Sequence, residues 1–558
     1  MRFLPVNLTT ILVELPGLQE TRALHTSLQS CPVDGIEEMI PAARTLLVHF
    51  DPESVSAEAL ATELRQRDLS LISAGSDCQI EIPVCYDGVD LDNIAQLTGF
   101  SVEEVIRRHK ESEFTVAFCG FAPGFSYLNG GDPALFVPRH QTPRTRIPAG
   151  SVAMAGPFSG IYPQSSPGGW QLIGRTSAKM WDTNRTPSAL LQPGYRVKFV
   201  QVDDLETAGV NTTPAIEHDD PPASASGSIN RPEETPVLRQ TAGHARPHFK
   251  VLTAPIPALF QDLGRPGQAN QGVSASGVLD RSAFRAANRI VGNPAGTGCL
   301  ELTLGGFSFQ SCSQAVIGCT GAPCPITIED VKGRTTKITE THRPMSLEPG
   351  DVVTFGHPRT GMRTYLAVRG GFEISPVLGS VSTDTLAAVG PIPVTAGSVL
   401  TLRNTREGLS SVSIHEAPAL TLPTADDVVT LDVVLGPRTD WFTQQGLNAF
   451  TQQRWKVTAE SSRTGIRLSG NVSIERKDDK AELPSEGTVT GAIQVAHNGQ
   501  PVLFLADHPL TGGYPVIGAV AEHHLDLTGQ LPVNTMVQFR AIGPWSEIQP
   551  HSDMAHTA

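Results

Sequence analysis

Between about Ala208 and Pro247 the chain reads AGVNTTPAIEHDDPPASASGSINRPEETPVLRQTAGHARP, a run dominated by Pro, Ser, Thr, Gly and acidic residues. Such a stretch carries too little apolar surface to offset the entropy of ordering its backbone. It predicts a disordered linker over 208–247 and divides the 558 residues into two separately folding halves. Each flanking part is long enough for its own core, and two to four domains are expected overall.

Outside the linker the text is rich in turns. With 52 Gly and 44 Pro, and 39% hydrophobic residues, the halves read as mainly β with α+β content. Residues 1–80 alternate LTTILVEL, LQETRALHTSL, TLLVHF, SAEALATELRQRDL and QIEIPV, the βαββαβ order of a small ferredoxin-like subdomain. DLDNIAQLTGF and SVEEVIRRHKE then predict two short helices. Gly99 stops the first, and a Ser101 to Glu104 capping box opens the second. His109 shares a face with Val102, Val105 and Ile106 and is expected to be a packed histidine.

From Phe114 onward short apolar strands lie between Gly and Pro turns, favouring a closed β-barrel-like domain over 81–207. The segment 248–558 reads the same way. One helix stands out within it, LDRSAFRAANRIVGN, with Asp280 as N-cap and Gly292 as its stop. A repeat supports a duplicated fold: GSVAM (150–154) followed by PGGWQLIG (167–174) echoes GAIQV (491–495) followed by TGGYPVIG (511–518).

The formal net charge of -14 repels phosphate backbones and anionic membrane surfaces, arguing against nucleic-acid and membrane partners. No apolar run approaches a membrane span, and the N-terminus reads as a first strand rather than a signal peptide, so the expected location is cytoplasmic. The eight cysteines show no CxxC and are expected to be reduced. Cys312, Cys319 and Cys324 lack a histidine at ligand spacing, and no metal site is expected there.

Several segments carry candidate chemistry. In TPRTRIPAG, Arg144 and Arg146 fall two apart, so a strand would set both guanidinium groups on one face to grip a carboxylate or phosphate, with Arg175 completing the pocket. Asp280 reads first as a helix cap and second as a catalytic carboxylate. Asn288, sharing a helix face with Phe284 and Val291, is either a buried structural group or a ligand contact. Glu301 sits in the apolar run CLELTLGG, where it must be paired or titrated. SRTGIR adds Arg463, and DHPLTGG adds Asp507, Thr511, Gly512 and Gly513. There is no GxxxxGK[ST], GxGxxG after a strand, HExxH or GxSxG, which argues against a P-loop kinase, a nicotinamide enzyme, a zincin and an α/β-hydrolase.

The segments GFAPGFSYL (120–128), TPRTRIPAGSVAMAG (142–156) and GIYPQSSPGGWQLIGRT (160–176) closely resemble allophanate hydrolase subunit 1, also called the KipI family or the B subunit of 5-oxoprolinase. FQDLGRPG, GVSASGVLDRSAFRAANRIVGNP, LELTLGG, YLAVRGGF, VLGSVSTD, SRTGIRLSG, SEGTVTGAIQV and ADHPLTGGYPVIG resemble allophanate hydrolase subunit 2, the C subunit of 5-oxoprolinase. The resemblance implies cyclophilin-like β-barrel domains in both halves, two of them in 248–558. It implies a fusion of the B and C subunits that works with a separate 5-oxoprolinase A-subunit-like protein, opening 5-oxo-L-proline to L-glutamate with ATP and Mg²⁺. The alternatives it carries are the carboxyltransferase of a biotin-dependent urea carboxylase and a KipI-like inhibitor of a histidine kinase. The chain has no biotin-accepting AMKM tetrapeptide, so no covalently bound biotin is expected on it.

Within that resemblance the expected roles are Arg144, Arg146 and Arg175 on the substrate carboxylate or ATP phosphates, and Asp507 or Glu301 placing Mg²⁺ or the attacking group. A small-molecule substrate and a possible homo-oligomer complete the expectation. Two departures bear on the second half. GSVST (379–383) stands where many relatives read GSRST, and His524 in VAEHHLDL stands where an Asp is frequent.

Overall fold

The computed structural model describes residues 1–70, 78–140, 142, 144–205, 211–213, 246–403, 408–412, 414–479 and 481–550. The expected linker therefore lies largely outside the described residues. Its early part includes a short strand, Asn211–Thr213, paired antiparallel with Gln79–Val84.

The N-terminal subdomain is a four-stranded antiparallel sheet in the spatial order Arg2–Asn7, Thr10–Glu14, Thr45–Phe50, Ile36–Pro41. The helices Leu18–Ser30 and Ala57–Arg65 pack Leu24, Leu28, Leu60 and Leu64 onto Val13, Leu46 and Val48. This is a ferredoxin-like sheet whose edge beside the first expected strand is filled from the N-terminal side. The segment expected as one strand, LTTILVEL, begins in a tight turn after the separate strand Arg2–Asn7. QIEIPV, expected to close this sheet, instead enters the next domain by pairing in parallel with Arg196–Gln201.

That next domain is a barrel of seven strands: Gln79–Val84, Phe114–Cys119, Ser126–Asn129, Ser151–Ala155, Phe158–Ile161, Gln171–Arg175 and Arg196–Gln201. Numbered in that order, they neighbour one another as 6-4-5-3-2-7-1. The bridge between Cys85 and Arg175 returns strand 1 to strand 6, with amide-to-carbonyl bonds of 2.9 Å in both directions. The helices Leu91–Thr98 and Val102–Glu111 lie between strands 1 and 2. Gly99, at φ 75°, stops the first, and the Ser101 side chain caps the second by accepting the Glu104 N–H. His109 is buried, its ring nitrogens 2.8 Å from the Tyr86 hydroxyl and 2.9 Å from Ser159 Oγ.

The second half contains two β units. In the first, a six-stranded and a five-stranded sheet face each other across Phe249, Phe309, Leu300, Leu366 and Phe355. The helix Arg281–Val291 covers the five-stranded sheet with Phe284, Ala287 and Ile290 against Tyr365 and Ala367. The second unit is a closed barrel of Val428–Leu435, Trp455–Val457, Gly465–Ser469, Ala492–Val495, Pro501–Phe504, Val516–Val520 and Met536–Ala541. Its strands neighbour one another as 1-6-4-5-3-2-7, with 7 parallel to 1.

Followed around the ring, the two barrels have the same order, the same single parallel pair and a helical excursion after strand 1. The two repeat segments occupy strands 4 and 6 of each barrel. In each, a short two-stranded ribbon sits beside them: Arg144–Ile147 with Ser166–Gly168, and Glu486–Gly487 with Thr511–Gly512. The repeat seen in sequence is thus a repeat of topology. Among the described residues no helix is long and apolar enough to cross a membrane.

Candidate functional site at the contact of the two halves

The candidate carboxylates of the second half converge. Glu301, on Cys299–Thr303, lies opposite Tyr365 on Arg363–Val368. The Tyr365 hydroxyl donates to Glu301 Oε2 at 2.9 Å and accepts the Asp280 N–H at 3.0 Å. Arg463, in the turn before strand Gly465–Ser469 of the C-terminal barrel, donates to Glu301 Oε1 at 2.6 Å. It grips Asp507 with two nitrogens at 3.0 and 3.1 Å and reaches the Gly277 carbonyl at 2.5 Å. Asp280 caps its helix by accepting the Ala283 N–H at 2.8 Å and also accepts from Gln530 at 2.8 Å. Glu301, Asp507 and Asp280 are at most 2% exposed, so one buried network rivets the two units of this half together. Asn288, also buried, donates to the Thr297 carbonyl and accepts from Asn293, a structural engagement.

Electrostatics divides these acids. Burial pushes the Asp507 carboxyl up, but the charge and hydrogen bonds of Arg463, with donors from Thr385 and Ser276, more than offset it and hold it below the ordinary carboxylate value. Burial lifts Asp280 to about 6, against the Ala283 amide and Gln530. Asp384 also rises to about 6, through burial and then the neighbouring Asp507 charge.

Asp384 belongs to a shell that sequence reading did not mark as a site. Its Oδ1 accepts the amides of Leu386 and Ala387 at 2.9 and 2.8 Å, and its Oδ2 accepts from Ser274 Oγ at 3.2 Å. Asp507 accepts from Ser276 Oγ at 2.7 Å and from both the amide and hydroxyl of Thr385, at 2.9 and 2.7 Å. Asp262 collects the Ser380 and Ser382 hydroxyls, and Arg265, 1% exposed, donates to the Ser382 carbonyl while its Nη1 has no hydrogen-bond partner among the described residues. Alternate hydroxyls in GVSASGV and SVSTD were the available signal. Thr385, which follows Asp384 in the chain and donates to Asp507, is exposed.

The N-terminal half closes onto this shell through GFAPGF. Phe121, at φ 64°, donates its N–H to Thr511 Oγ1 at 3.0 Å, and Gly124 donates to the Gln271 carbonyl at 2.9 Å. Two close approaches require glycine: a Cβ on Gly120 would collide with Thr511, and one on Gly272, at φ +76°, would stand 2.7 Å from the Ala122 carbonyl. Gln164 donates to the Leu386 carbonyl at 3.0 Å. Gly512 passes Gln494, while Gly513 passes Arg139, 2.6 Å from where its Cβ would stand.

Known proteins share this architecture. Residues 1–191 match the family described as carboxyltransferase domain, subdomain C and D, and 271–541 match carboxyltransferase domain, subdomain A and B. The chain is 32% identical over 295 residues to the C subunit of 5-oxoprolinase from Escherichia coli strain K12, covering 52% of this chain and 90% of that protein. It is 38% identical over 193 residues to the B subunit of 5-oxoprolinase from Bacillus subtilis strain 168, covering 31% of this chain and 79% of that one. The chain belongs to the family of the B and C subunits of 5-oxoprolinase. A crystal structure of TTHA0988 aligns over 95% of this chain and 99% of its own, with TM-score 0.75 and 30% identity, so the fused arrangement recurs as a whole.

In the B-like N-terminal half the three expected anion-binding arginines have separate partners. Arg144 donates to Asp90 Oδ1 at 2.6 Å, and its Nη1 is buried without a hydrogen-bond partner among the described residues. Arg146 is exposed and donates to Ser165 Oγ at 3.1 Å. Arg175 is exposed and pairs with Asp87 at 2.7 Å.

In the C-like second half, Asp507 already accepts five donor contacts and Glu301 faces Arg463 and Tyr365. Neither fits a Mg²⁺ ligand, which needs free carboxylate oxygens. The departure at 524 has a local account: His524 Nδ1 accepts the Asp432 N–H at 2.9 Å. His523 and His524 cluster with the Asp432 carboxylate, but Arg540 already pairs with that carboxylate at 2.6 and 3.0 Å.

Proposed function

We propose that this chain supplies, in one polypeptide, the functions of the B and C subunits of an ATP-dependent 5-oxoprolinase in the cytoplasm. It would act with a separate A-subunit-like protein to open 5-oxo-L-proline to L-glutamate. The observation that carries this reading is the convergence of the motif-bearing loops of both halves on one contact, where Asp384 and the exposed Thr385 lie beside the ion-paired Asp507.

A lactam carbonyl is a poor electrophile. Transfer of the γ-phosphoryl group of ATP to its oxygen activates the carbon; one water then adds to it, the ring C–N bond breaks to leave the amine and a side-chain acyl phosphate, and a second water cleaves that acyl phosphate to release phosphate and the carboxylate of glutamate. In this reading Asp384 is the base that accepts a proton, poised by a carboxyl value near operating pH. Asp507 and Arg463 are positioning residues that hold Ser276 and Thr385. Arg144, Arg146 and Arg175 are proposed contacts for the substrate carboxylate or phosphates, and Arg144 is favoured because it has a nitrogen to offer.

The test is ATP hydrolysis by the purified chain with its A-subunit-like partner, given 5-oxoproline, urea or biotin separately. Turnover that requires 5-oxoproline and the partner supports the proposal. Turnover that requires urea and carboxybiotin, or binding to a histidine kinase without turnover, would replace it.

A further inference from the structure

Away from that contact, a pocket of about 370 Å³ opens between the N-terminal subdomain and the short turn Ala269–Gln271 of the second half. Leu28, Val33, Ile36, Met39 and Ala269 supply apolar walls; the lining carries Glu37 and Glu38 but no lysine or arginine. Glu37 is taken up by His49 at 3.0 Å. Glu38 Oε1 accepts the Gly267 N–H at 3.0 Å, which orients the carboxylate without neutralising it. Partial burial raises the Glu38 carboxyl value, only partly offset by the Gly267 amide, His49 and the Ala269 amide. The other titratable wall group, His25, is held neutral, its value pushed down to about 4 by burial.

We propose that this pocket binds a small organic cation, a primary ammonium paired with Glu38 and carried on a short aliphatic body against Leu28, Val33 and Met39. An anion would face the Glu38 carboxylate with no lysine or arginine in the lining to offset it, and a neutral molecule would bring it no counter-charge. The volume lies at the low end for small-molecule sites, suited to an amine or diamine rather than a nucleotide. The turn that forms one wall also reaches the contact between the halves, because the Gln271 carbonyl accepts from Gly124 and its side-chain oxygen accepts the Ala189 N–H at 3.2 Å. An occupant is therefore positioned to stiffen the clasp on the GFAPGF loop.

Titration calorimetry on the full chain near neutral pH, with n-butylammonium against butyrate and 1-butanol, tests the assignment. The expected result is binding of butylammonium with at least roughly tenfold preference over both controls. Glu38→Gln should remove that preference, and Val33→Trp, which fills the pocket, should abolish binding. Circular dichroism establishes that each variant folds; should Glu38→Gln fail to fold, Val33→Trp decides alone. Equal binding of all three probes, binding undiminished in the folded variants, or no heat from butylammonium at about 10 mM would overturn it.

Discussion

Arg463 is where the electrostatics of the second half is most exposed to test. It faces Glu301 and Asp507 in the interior, so Arg463→Met leaves the buried Asp507 without its cation and Glu301 with Arg363 alone, 3.4 Å away. The expected cost is about 3–5 kcal/mol of unfolding free energy, read as a lowered denaturation midpoint. Asp384 makes a different prediction. Activity should rise with pH through about 6 as its carboxyl ionises, and Asp384→Asn should remove both that limb and most of the turnover while leaving the fold. Asp280 carries a stability signature. Its folded value near 6 exceeds the ordinary 3.8, so the folded state holds its proton more tightly, and stability falls as pH rises from about 4 to about 6. Asp280→Asn should flatten that slope, worth about 3 kcal/mol across the window. At this scale the sequence exposed the demand for partners but not the partners. Glu301 in an apolar run had to be paired, yet Arg463 lies 162 positions away. Asp384 was hidden because a Ser-Thr-Asp sequence at a turn is ordinary turn chemistry, and only tertiary packing set it beside Asp507.

Local signals placed the helices well. Asp280, Ser101, Gly99 and Gly292 act as the caps and stops their types predict, because capping depends on residues within one turn. Sheet membership is another matter. QIEIPV alternates as any half-buried strand does, and its partner Arg196–Gln201 is more than 110 residues distant, so proximity in sequence points to the wrong sheet. The paired arginines fall on one strand as spaced, but Asp90, Ser165 and Asp87 separate what Arg144, Arg146 and Arg175 do. The clasp around GFAPGF gives the element-scale prediction. Gly272→Ala introduces a side chain at positive φ against the Ala122 carbonyl, which should cost about 1–3 kcal/mol and lower turnover. Thermal denaturation and steady-state rates on the same preparation check it.

Across the whole molecule, composition marked two halves but could not show that they interlock. Buried Arg438 joins Glu486 of its own half to Glu14 of the other, and Arg2 reaches Asp440 and Glu547. Fragments 1–207 and 248–558, expressed together, should therefore co-purify, and gel filtration of the mixture reads this out. The twin barrels were legible as a weak repeat because matching turns recur at matching strands; their common ring order was not, since it is set by long-range pairing. The most direct test of the account is glutamate formation from 5-oxo-L-proline by the intact chain with its A-subunit-like partner. Glutamate appearing only when ATP and both proteins are present, and lost with Asp384→Asn, is the predicted result. Turnover indifferent to 5-oxoproline, or undiminished by Asp384→Asn, would contradict it.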